Sequence, residues 1–536
     1  MFDMHSFSQQ FPYRQTGFFS KIILDYLDHS KQLAPFFLHS PDIRGIENAI
    51  EHRKKTIINR KLLFDTLQLQ YASVDKSPAI EKNLGLLSSP DTFTICTAHQ
   101  PNIFTGHLYF IYKILHTIKV ADYLNAVIHA NNFVPVYYIG SEDADLEELG
   151  HIYIKGQKYI WETKQKGAVG KMVVDDDLIK LIEQISGQLV ILPGGNDLID
   201  LIKQCYIKDT TIQEATFKLV NYLFSDYGLI ILIPDNAALK REMLPVFEDD
   251  IFNNTTSDIV NATSKKLSEH YKVQAHPREI NLFYFKDDIR NRLIKKKNLY
   301  YVEYTDIKFT EEEIKSELQD HPERFSPNVI LRGLYQETIL PNLAFVGGGG
   351  ELAYWLELKD LFQHYNIPFP VLLLRNSFML IDKKVKSIYK KLKFNTDDLF
   401  KPENILMYEL VNNHTKHQLY LSLEKQQIEE VYDEISKVVK EIDITLRDHT
   451  EALRTKTINK LNALEKKMLK AEKRKFKVQL IQIKKLRSIL FPLGELQERI
   501  ENFMPYYAKY GKEFVNILYQ NSLVFEQKLS VLIEEE

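Results

Sequence analysis

The chain has 536 residues, 44% of them hydrophobic, and a formal net charge of −3. This length is too great for one compact core, so it predicts two or three domains of a soluble globular protein. The two cysteines, Cys96 and Cys205, exclude a disulfide framework and a thiolate zinc site. Neither a secretion-signal pattern nor an apolar run that could span a bilayer is present, so we expect a cytoplasmic protein without a membrane partner.

The first informative segment, residues 94–124, has the pattern of a strand, a polar loop and a helix. A helix N-terminus after a glycine-containing loop favours phosphate or carboxylate, and imidazoles add donors that can become cationic. The segment is therefore either an anion site or an ordinary turn with surface histidines, and spacing alone favours neither. The candidate residues of this loop are His99, Gln100, Thr105, Gly106 and His107.

Strand-like apolar runs alternate with helical patterns as far as residue 374. This alternation predicts an α/β fold with a doubly wound parallel sheet. Segments 151–220 and 255–325 are too long for bare crossovers, so we predict inserted subdomains there, with hairpin-like stretches at 161–174 and 281–304. The predicted strands are 93–96, 134–140, 229–234, 329–331 and 370–374, and the predicted helices include 236–247 and 351–365.

Five carboxylates follow the predicted strand 134–140 directly. They are either an acidic helix start, which the helix dipole favours, or a pocket for an ammonium group, a metal or a general base. Their place after a buried strand favours function for Glu142, Asp143 and Asp145, because ligands of such sheets collect at the carboxyl ends of strands. We expect Glu147 and Glu148 to form the solvated first turn of a helix.

Four consecutive glycines precede a helix that is rich in aromatic residues. Glycine lets a ligand approach bare backbone, so a binding loop is favoured over a flexible linker. The run is neither a P-loop nor a GxGxxG fingerprint. Arg375 and Asn376 follow the predicted strand 370–374 directly. Their polar side chains either face the same crevice or cap the end of the strand. The candidates are Gly347, Gly348, Gly349, Gly350, Glu351, Tyr354 and Trp355, followed by Arg375 and Asn376.

A basic helical segment dominates the C-terminal part of the chain. Residues 454–487 contain thirteen Lys or Arg and two Glu, and no Gly or Pro occurs between Glu424 and Phe491. Apolar residues recur at three- and four-residue spacing, which predicts a coiled coil with one break near 442–446. We favour a solvated coiled-coil face over a nucleic-acid grip, because no aromatic platform accompanies the lysines.

Several separated blocks, in the same order, resemble the BshC family of bacillithiol biosynthesis, whose members are regarded as cysteine-adding enzymes. Two positions depart from the family pattern: His107 stands where members often have proline, and His99 where they commonly have glutamine. The blocks are FTGHLYFIYK (104–113), GSEDADLEEL (140–149), FSDYGLIILIPDNAALKREMLPVF (224–247), NLFYF (281–285), FSPNVILRGLYQETILPNLAFVGGGGELAYWLELK (325–359) and LFPLGELQER (490–499).

The resemblance implies a Rossmann-like core with connecting-peptide insertions, similar to class I aminoacyl-tRNA synthetases, plus a C-terminal coiled coil that forms a homodimer. In that comparison the residues around His107 stand where those synthetases carry a His-x-Gly-His element, without its first histidine. The expected domains are a mainly helical segment (1–90), core segments (91–150, 221–254, 326–400), two insertions (151–220, 255–325) and a helical coiled-coil region (401–536).

The same resemblance implies cysteine and glucosaminyl-malate as substrates, and a synthetase-like core suggests ATP with Mg as the activator. Gly106 and His107 would stabilise departing phosphates, and the acidic loop would hold the cysteine ammonium or accept a proton. The four glycines would line the pocket, and Arg332 or Arg375 would pair with a carboxylate. We expect no zinc at His99 or His107, because no Cys/His cluster accompanies them.

The sequence leaves two other classes of function open. The first is an RNA-binding relative of the synthetases, whose affinity for tRNA would fall steeply with salt. The second is a non-catalytic scaffold that binds a nucleotide, and the pocket of such a protein would lack polar site residues. The clustered Gly, His, Asp and Arg residues at strand ends argue against such a loss of site residues.

Overall fold

The computed structural model describes residues 6–415 and 417–534. They form two compact units: the first contains residues up to Leu380 together with those from Glu495 onward, and the second is Ile381–Gly494. Within these described ranges, no helix is long and apolar enough to cross a bilayer.

The strands of the described residues are β1 (Ser6–Pro12), β2 (Thr92–His99), β3 (Asn132–Ile139), β4 (His151–Ile154), β5 (Gln157–Ile160), β6 (Ile230–Leu232), β7 (Leu282–Lys286), β8 (Ile289–Lys296), β9 (Leu299–Val302), β10 (Lys308–Phe309), β11 (Phe325–Pro327), β12 (Asn342–Gly347), β13 (Val371–Leu374), β14 (Ser377–Ile381) and β15 (Lys528–Glu534).

The α-helices are α1 (Tyr13–Thr16), α2 (Lys21–Leu27), α3 (Ile43–Arg53), α4 (Arg60–Gln70), α5 (Pro78–Leu86), α6 (Tyr109–Val127), α7 (Leu146–Leu149), α8 (Asp176–Leu189), α9 (Gly195–Cys205), α10 (Ile212–Phe224), α11 (Ala237–Arg241), α12 (Leu244–Asn253), α13 (Thr255–Leu267), α14 (Glu311–Asp320), α15 (Val329–Ile339), α16 (Gly349–Trp355), α17 (Lys359–His364), α18 (Lys383–Leu392), α19 (Glu403–His414), α20 (Ser422–Ile442), α21 (Leu446–Lys473), α22 (Lys477–Leu490), α23 (Met504–Tyr510) and α24 (Lys512–Gln520).

A five-stranded parallel sheet in the order β13-β12-β2-β3-β6 organises the first unit. Numbered along the chain, this order is 3-2-1-4-5 read from the β6 edge, which is that of a Rossmann sheet, so the predicted doubly wound fold is confirmed. Helices α3 and α6 contribute to the apolar core around the sheet. The strand order reverses between β2 and β12, and such a switch point leaves a crevice at the carboxyl ends of the strands.

The inserted segments contain antiparallel structure, and their predicted hairpins had different outcomes. The stretch 281–304 is confirmed, since β7, β8 and β9 form a meander within a sheet ordered β10-β9-β8-β7-β11. The hairpin predicted at 161–174 is wrong. It lies earlier, as β4 and β5, while Asp175 accepts hydrogen bonds from Trp161 and Thr163 and so organises the following loop.

The predicted strand 329–331 is also wrong, because these residues begin helix α15. The side chain of Asn328 accepts hydrogen bonds from the backbone N–H groups of Ile330 and Leu331, and it thereby starts the helix. The strand of this region is β12, which ends at Gly347, the first residue of the glycine run. Each of the predicted helices 236–247 and 351–365 is divided into two shorter helices, α11 with α12 and α16 with α17.

The second unit contains the long helices. The predicted break near 442–446 is confirmed, since α20 ends at Ile442 and α21 begins at Leu446. A further break at Arg474–Phe476, which separates α21 from α22, was not predicted. Helix α22 packs against α18 and α19 through a small apolar core of Leu392, Leu406, Leu410 and Ile483.

Helix α6 lies buried beside the parallel sheet and carries an inaccessible histidine. His116 is 2% exposed, and its Nε2 lies 2.9 Å from the carbonyl oxygen of Val524. Burial lowers the pKa of His116 to about 4. The ring is therefore neutral in the folded protein at neutral pH, but it would be protonated in the unfolded chain below about pH 6.5.

We expect this histidine to destabilise the protein in acid. Because its pKa is depressed on folding, the unfolded state binds more protons below the unfolded pKa, and stability falls as the pH falls. Between about pH 7 and pH 5 the free energy of unfolding should decrease by about 2 kcal/mol from this residue. In the variant His116→Gln, whose amide can still donate to Val524, urea unfolding should show a shallower pH dependence over this interval. An equal slope in both proteins would contradict the assignment.

Candidate functional site

A cavity of roughly 720 Å³ lies at the carboxyl edge of the parallel sheet. It contains the switch point between β2 and β12, and residues following β2, β3 and β12 line it together with residues of the second insertion. Of the predicted site residues, His99, Gln100, Glu142, Asp143, Arg332, Gly348, Gly349, Gly350, Glu351, Tyr354 and Arg375 line this cavity.

His99 ends β2 and presents a neutral ring to the cavity. Burial lowers the pKa of His99 well below its ordinary value, and the nearby positive charges of Lys113 and Arg375 contribute to the shift. The ring packs against Tyr109 and Phe110, and its buried Nε2 has no hydrogen-bond partner among the described residues. His99 can therefore donate or accept a hydrogen bond, but it does not supply the cation that the sequence suggested.

A buried lysine joins the end of β2 to the glycine run. Lys113 of α6 is 1% exposed, and its Nζ donates to the carbonyl oxygen of Ala98 and, at 2.7 Å, to Oε2 of Glu351. The same Glu351 oxygen accepts a hydrogen bond from the backbone N–H of Gly348 at 2.8 Å. Burial lowers the pKa of Lys113, and Glu351 opposes this shift. Glu351 therefore holds the glycine run in place.

Glu142 follows β3 and is engaged in a buried ion pair. Its Oε1 pairs with Nζ of Lys240, a fully buried residue whose ammonium also lies 3.5 Å from Oδ1 of Asp235. Burial raises the pKa of Glu142, and Lys240 opposes this effect. Removing Lys240 would leave the buried carboxylate of Glu142 without its cation, so the pair fixes the wall of the cavity.

The neighbouring carboxylates have separate tasks. Asp143 Oδ2 accepts a hydrogen bond from Gln100 at 3.1 Å, and Asp143 has no ion-pair partner among the described residues. Asp145 does not line the cavity. It caps helix α7, where its Oδ1 accepts from the N–H of Glu148 at 3.0 Å. The acidic run therefore contains both a cavity group and a helix cap.

Arg332 and Arg375 hold their guanidinium groups against aromatic rings. Arg332 donates to the Tyr354 hydroxyl at 3.0 Å and lies over the rings of Tyr138 and Phe345. Arg375 lies over Tyr109 and is paired with the buried Glu498 at 2.7 Å. These contacts fix the direction of each fork, which is the arrangement that binds carboxylate or phosphate oxygens.

The loop with Thr105, Gly106 and His107 does not line the cavity. The side chain of Asn502 donates to the carbonyl oxygens of Phe104 and Gly106, while Nδ1 of His107 lies 2.9 Å from the carbonyl of Ile500. The carbonyl of Glu501 accepts from the N–H of Leu108, the residue immediately before helix α6. A C-terminal segment thus covers the start of the helix, where the sequence offered an anion site.

Three other predicted residues also lie away from the cavity. Trp355 is fully buried and stacks on Phe345, with ring centroids 4.7 Å apart. Gly347 is buried at the end of β12, where an added Cβ would meet Phe345 and Leu352. Asn376 donates to the carbonyl of Leu523 at 2.9 Å. Each of these residues stabilises the surroundings of the site.

Sequence reasoning missed several charged residues that the cavity contains. Lys113, which lies behind the cavity wall and contacts Glu351, was missed because it stands inside an apolar helix pattern, although a lysine at such a position is itself a signal. The missed cations that line the cavity come from the second insertion and from the C-terminal segment, and no local sequence pattern indicated them. They are Arg278, Arg290, Arg292 and Arg499. Within the described ranges, no group of three or more His, Cys, Asp or Glu side chains could hold a metal ion.

Comparison with known proteins identifies the family of the chain. A family described as "Bacillithiol biosynthesis BshC, N-terminal Rossmann-like domain" matches residues 7–376, and its "C-terminal coiled-coil domain" matches residues 378–534. Proteins named "Putative cysteine ligase BshC" are similar along nearly their whole length. Those of Flavobacterium johnsoniae and Christiangramia forsetii are each 37% identical, covering 97% of this chain and 98% of the relative. That of Flavobacterium psychrophilum is 38% identical, covering 94% and 95%. The chain therefore belongs to the BshC family.

Proposed function

We propose that this protein is a ligase that joins the carboxyl group of cysteine to the amine of glucosaminyl-malate. The observation that carries the proposal is the cavity at the sheet's switch point, which combines an unpaired carboxylate, oriented arginines and a glycine run. Membership of the BshC family and the ligase names of the relatives support the same activity.

Amide formation from a free carboxylate requires activation, because oxide and hydroxide are poor leaving groups. We propose ATP as the activator. A carboxylate oxygen of cysteine attacks the α-phosphorus of ATP, the bond to the β-phosphate oxygen breaks, and pyrophosphate leaves. The amine nitrogen of glucosaminyl-malate then attacks the acyl carbon. The bond to AMP breaks, AMP departs with the electron pair, and the nitrogen loses a proton.

The cavity offers a group for each charge in these two steps. Arg332 and Arg375 have fixed forks that can bind phosphate or carboxylate oxygens. Gly349 and Gly350 present bare backbone on which a nucleotide can lie. Asp143 can hold the ammonium of cysteine or accept the proton of the attacking amine. His99, which is neutral, can donate a hydrogen bond to a developing oxyanion.

We expect purified protein with cysteine, glucosaminyl-malate and ATP–Mg to form the amide, AMP and pyrophosphate, as detected by mass spectrometry. Omitting ATP should abolish the product. Product formation without ATP would contradict the activation step but not the ligation, whereas absence of product from folded protein would contradict the ligation.

Deleting the gene should remove bacillithiol from cells and let glucosaminyl-malate accumulate. Unchanged bacillithiol in the deletion strain would contradict the assignment.

A further inference from the structure

A group of three arginines lines the cavity from the second insertion: Arg278, Arg290 and Arg292. Arg290 and Arg292 lie on β8, two residues apart, and therefore project from the same face of the strand. Arg278 precedes β7, the strand that pairs with β8. One hairpin and its approach thus bring three guanidinium groups to one wall.

Arg290 is held in a fixed orientation. Its guanidinium carbon lies 4.1 Å from the centroid of the Phe283 ring, and its Nε donates to Oγ of Ser326 at 3.1 Å. Stacking and the single hydrogen bond fix the plane of the fork and leave its two terminal nitrogens for another partner. An arginine so fixed loses little side-chain entropy when it binds an anion.

The positive charge of this wall is not balanced by its own carboxylates. Among the described residues, none of these three arginines has a carboxylate oxygen within 4.0 Å. The acidic residues that face Arg290 are Glu142 and Asp143. Glu142 is already paired with Lys240, and the carboxylate of Asp143 accepts from Gln100 and is not within 4.0 Å of the Arg290 guanidinium nitrogens. A partly buried guanidinium without a paired anion indicates that the anion comes with a ligand.

We propose that Arg278, Arg290 and Arg292 form a subsite for a dicarboxylate, which is the malate half of the glucosaminyl-malate substrate. This inference rests on the proposed function and assigns one substrate group to one wall of the cavity. Adjacent same-face positions on a strand are roughly 7 Å apart. Two guanidinium groups at this separation can each bind one of two carboxylates on neighbouring carbons. A single phosphate group would require guanidinium groups that converge on one point. Arg332 and Arg375, near the glycine run, remain for the nucleotide and for cysteine.

The test measures binding of glucosaminyl-malate to the full-length protein by titration calorimetry. In Arg290→Gln and Arg292→Gln, affinity should fall by about tenfold or more each, since each loses a charge-assisted hydrogen bond. Lys286→Gln removes one charge from the exposed tip of the same hairpin and should leave affinity unchanged. The diamide of glucosaminyl-malate should bind all of these proteins with equal affinity, because it lacks the carboxylates that the arginines contact.

Titrations with pyrophosphate and with ATP test whether the three arginines bind phosphate groups instead of carboxylates. If the arginine variants lose affinity for pyrophosphate or ATP and retain it for glucosaminyl-malate, the wall is a phosphate site and the proposal is wrong. Equal losses for the substrate and its diamide would also overturn it. Arg292 is exposed, so its variant remains informative if Arg290→Gln does not fold. Calorimetry measures binding of glucosaminyl-malate without catalysis. A failure to ligate cysteine would therefore contradict the proposed function without contradicting this subsite.

Discussion

Replacing Asp143 with asparagine should lower the rate of product formation by at least about a hundredfold, the lower range for a positioned ionic or acid–base group. The change preserves side-chain volume and the ability to accept from Gln100, but it removes the charge that an amine requires. The melting temperature should barely change, because this carboxylate forms no ion pair among the described residues. The measurement is the steady-state rate at saturating substrates, beside a thermal melt.

Asp145→Asn is the matched control for this experiment. It removes a carboxylate from the same loop, but Asp145 caps α7 and does not line the cavity. Asparagine is an equally good cap, so both activity and stability should be preserved. If the two variants lose activity equally, the loop charge acts as a whole and the role of Asp143 is wrong. A large fall in melting temperature of Asp143→Asn with activity retained per folded molecule would indicate a structural role.

The fold of the first unit could be predicted from sequence where apolar runs were flanked by polar turns. Strands β2, β3, β6 and β13 were found in this way. The fourth strand of the sheet, β12, was missed because the run Val329–Leu331 offered a rival apolar triplet. Short apolar runs do not distinguish a strand from a buried helix turn. Residues 329–331 are helical because the side chain of Asn328 caps α15, accepting two hydrogen bonds from backbone N–H groups.

The candidate site was predictable only for residues at the ends of strands. His99 ends β2, Glu142 and Gly348 follow β3 and β12, and the topology of a parallel sheet brings such positions together. The covering of His107 by Ile500 joins positions 393 residues apart, and no local pattern contains that contact. The arginine wall was missed for the same reason, since an insertion supplies it and tertiary packing alone directs it to the cavity.

We expect the second unit to mediate self-association through its long helices. Helices α20 and α21 pair with each other through Lys425 and Glu465, and through Tyr432 and Thr457. This pairing leaves an apolar stripe on α20 in water: Val431, Val438 and Ile442 are 56%, 58% and 74% exposed, and Ile435 lies between them. Their spacing of four, three and four residues is that of a coiled-coil seam.

We propose that a second copy of this chain covers the stripe, because a twofold homodimer is the commonest assembly of soluble proteins. The triple variant Val431→Lys, Val438→Lys and Ile442→Lys should then convert a dimer to a monomer in multi-angle light scattering. Lysine is a good helix former, so α20 should persist in circular dichroism. The Rossmann-like unit is unaltered, and its cavity should still bind substrate.

A charge-matched control separates loss of the seam from added positive charge. Glu430→Gln, Glu434→Gln and Glu441→Gln raise the net charge by the same amount, but they lie about a quarter turn away from the stripe on the helix. This protein should remain a dimer at all salt concentrations. A native protein that is already monomeric at micromolar concentration would contradict the proposal, as would a triple lysine variant that remains dimeric. The apolar stripe must be covered to remain stable in water, and the two variants together test whether an identical stripe covers it.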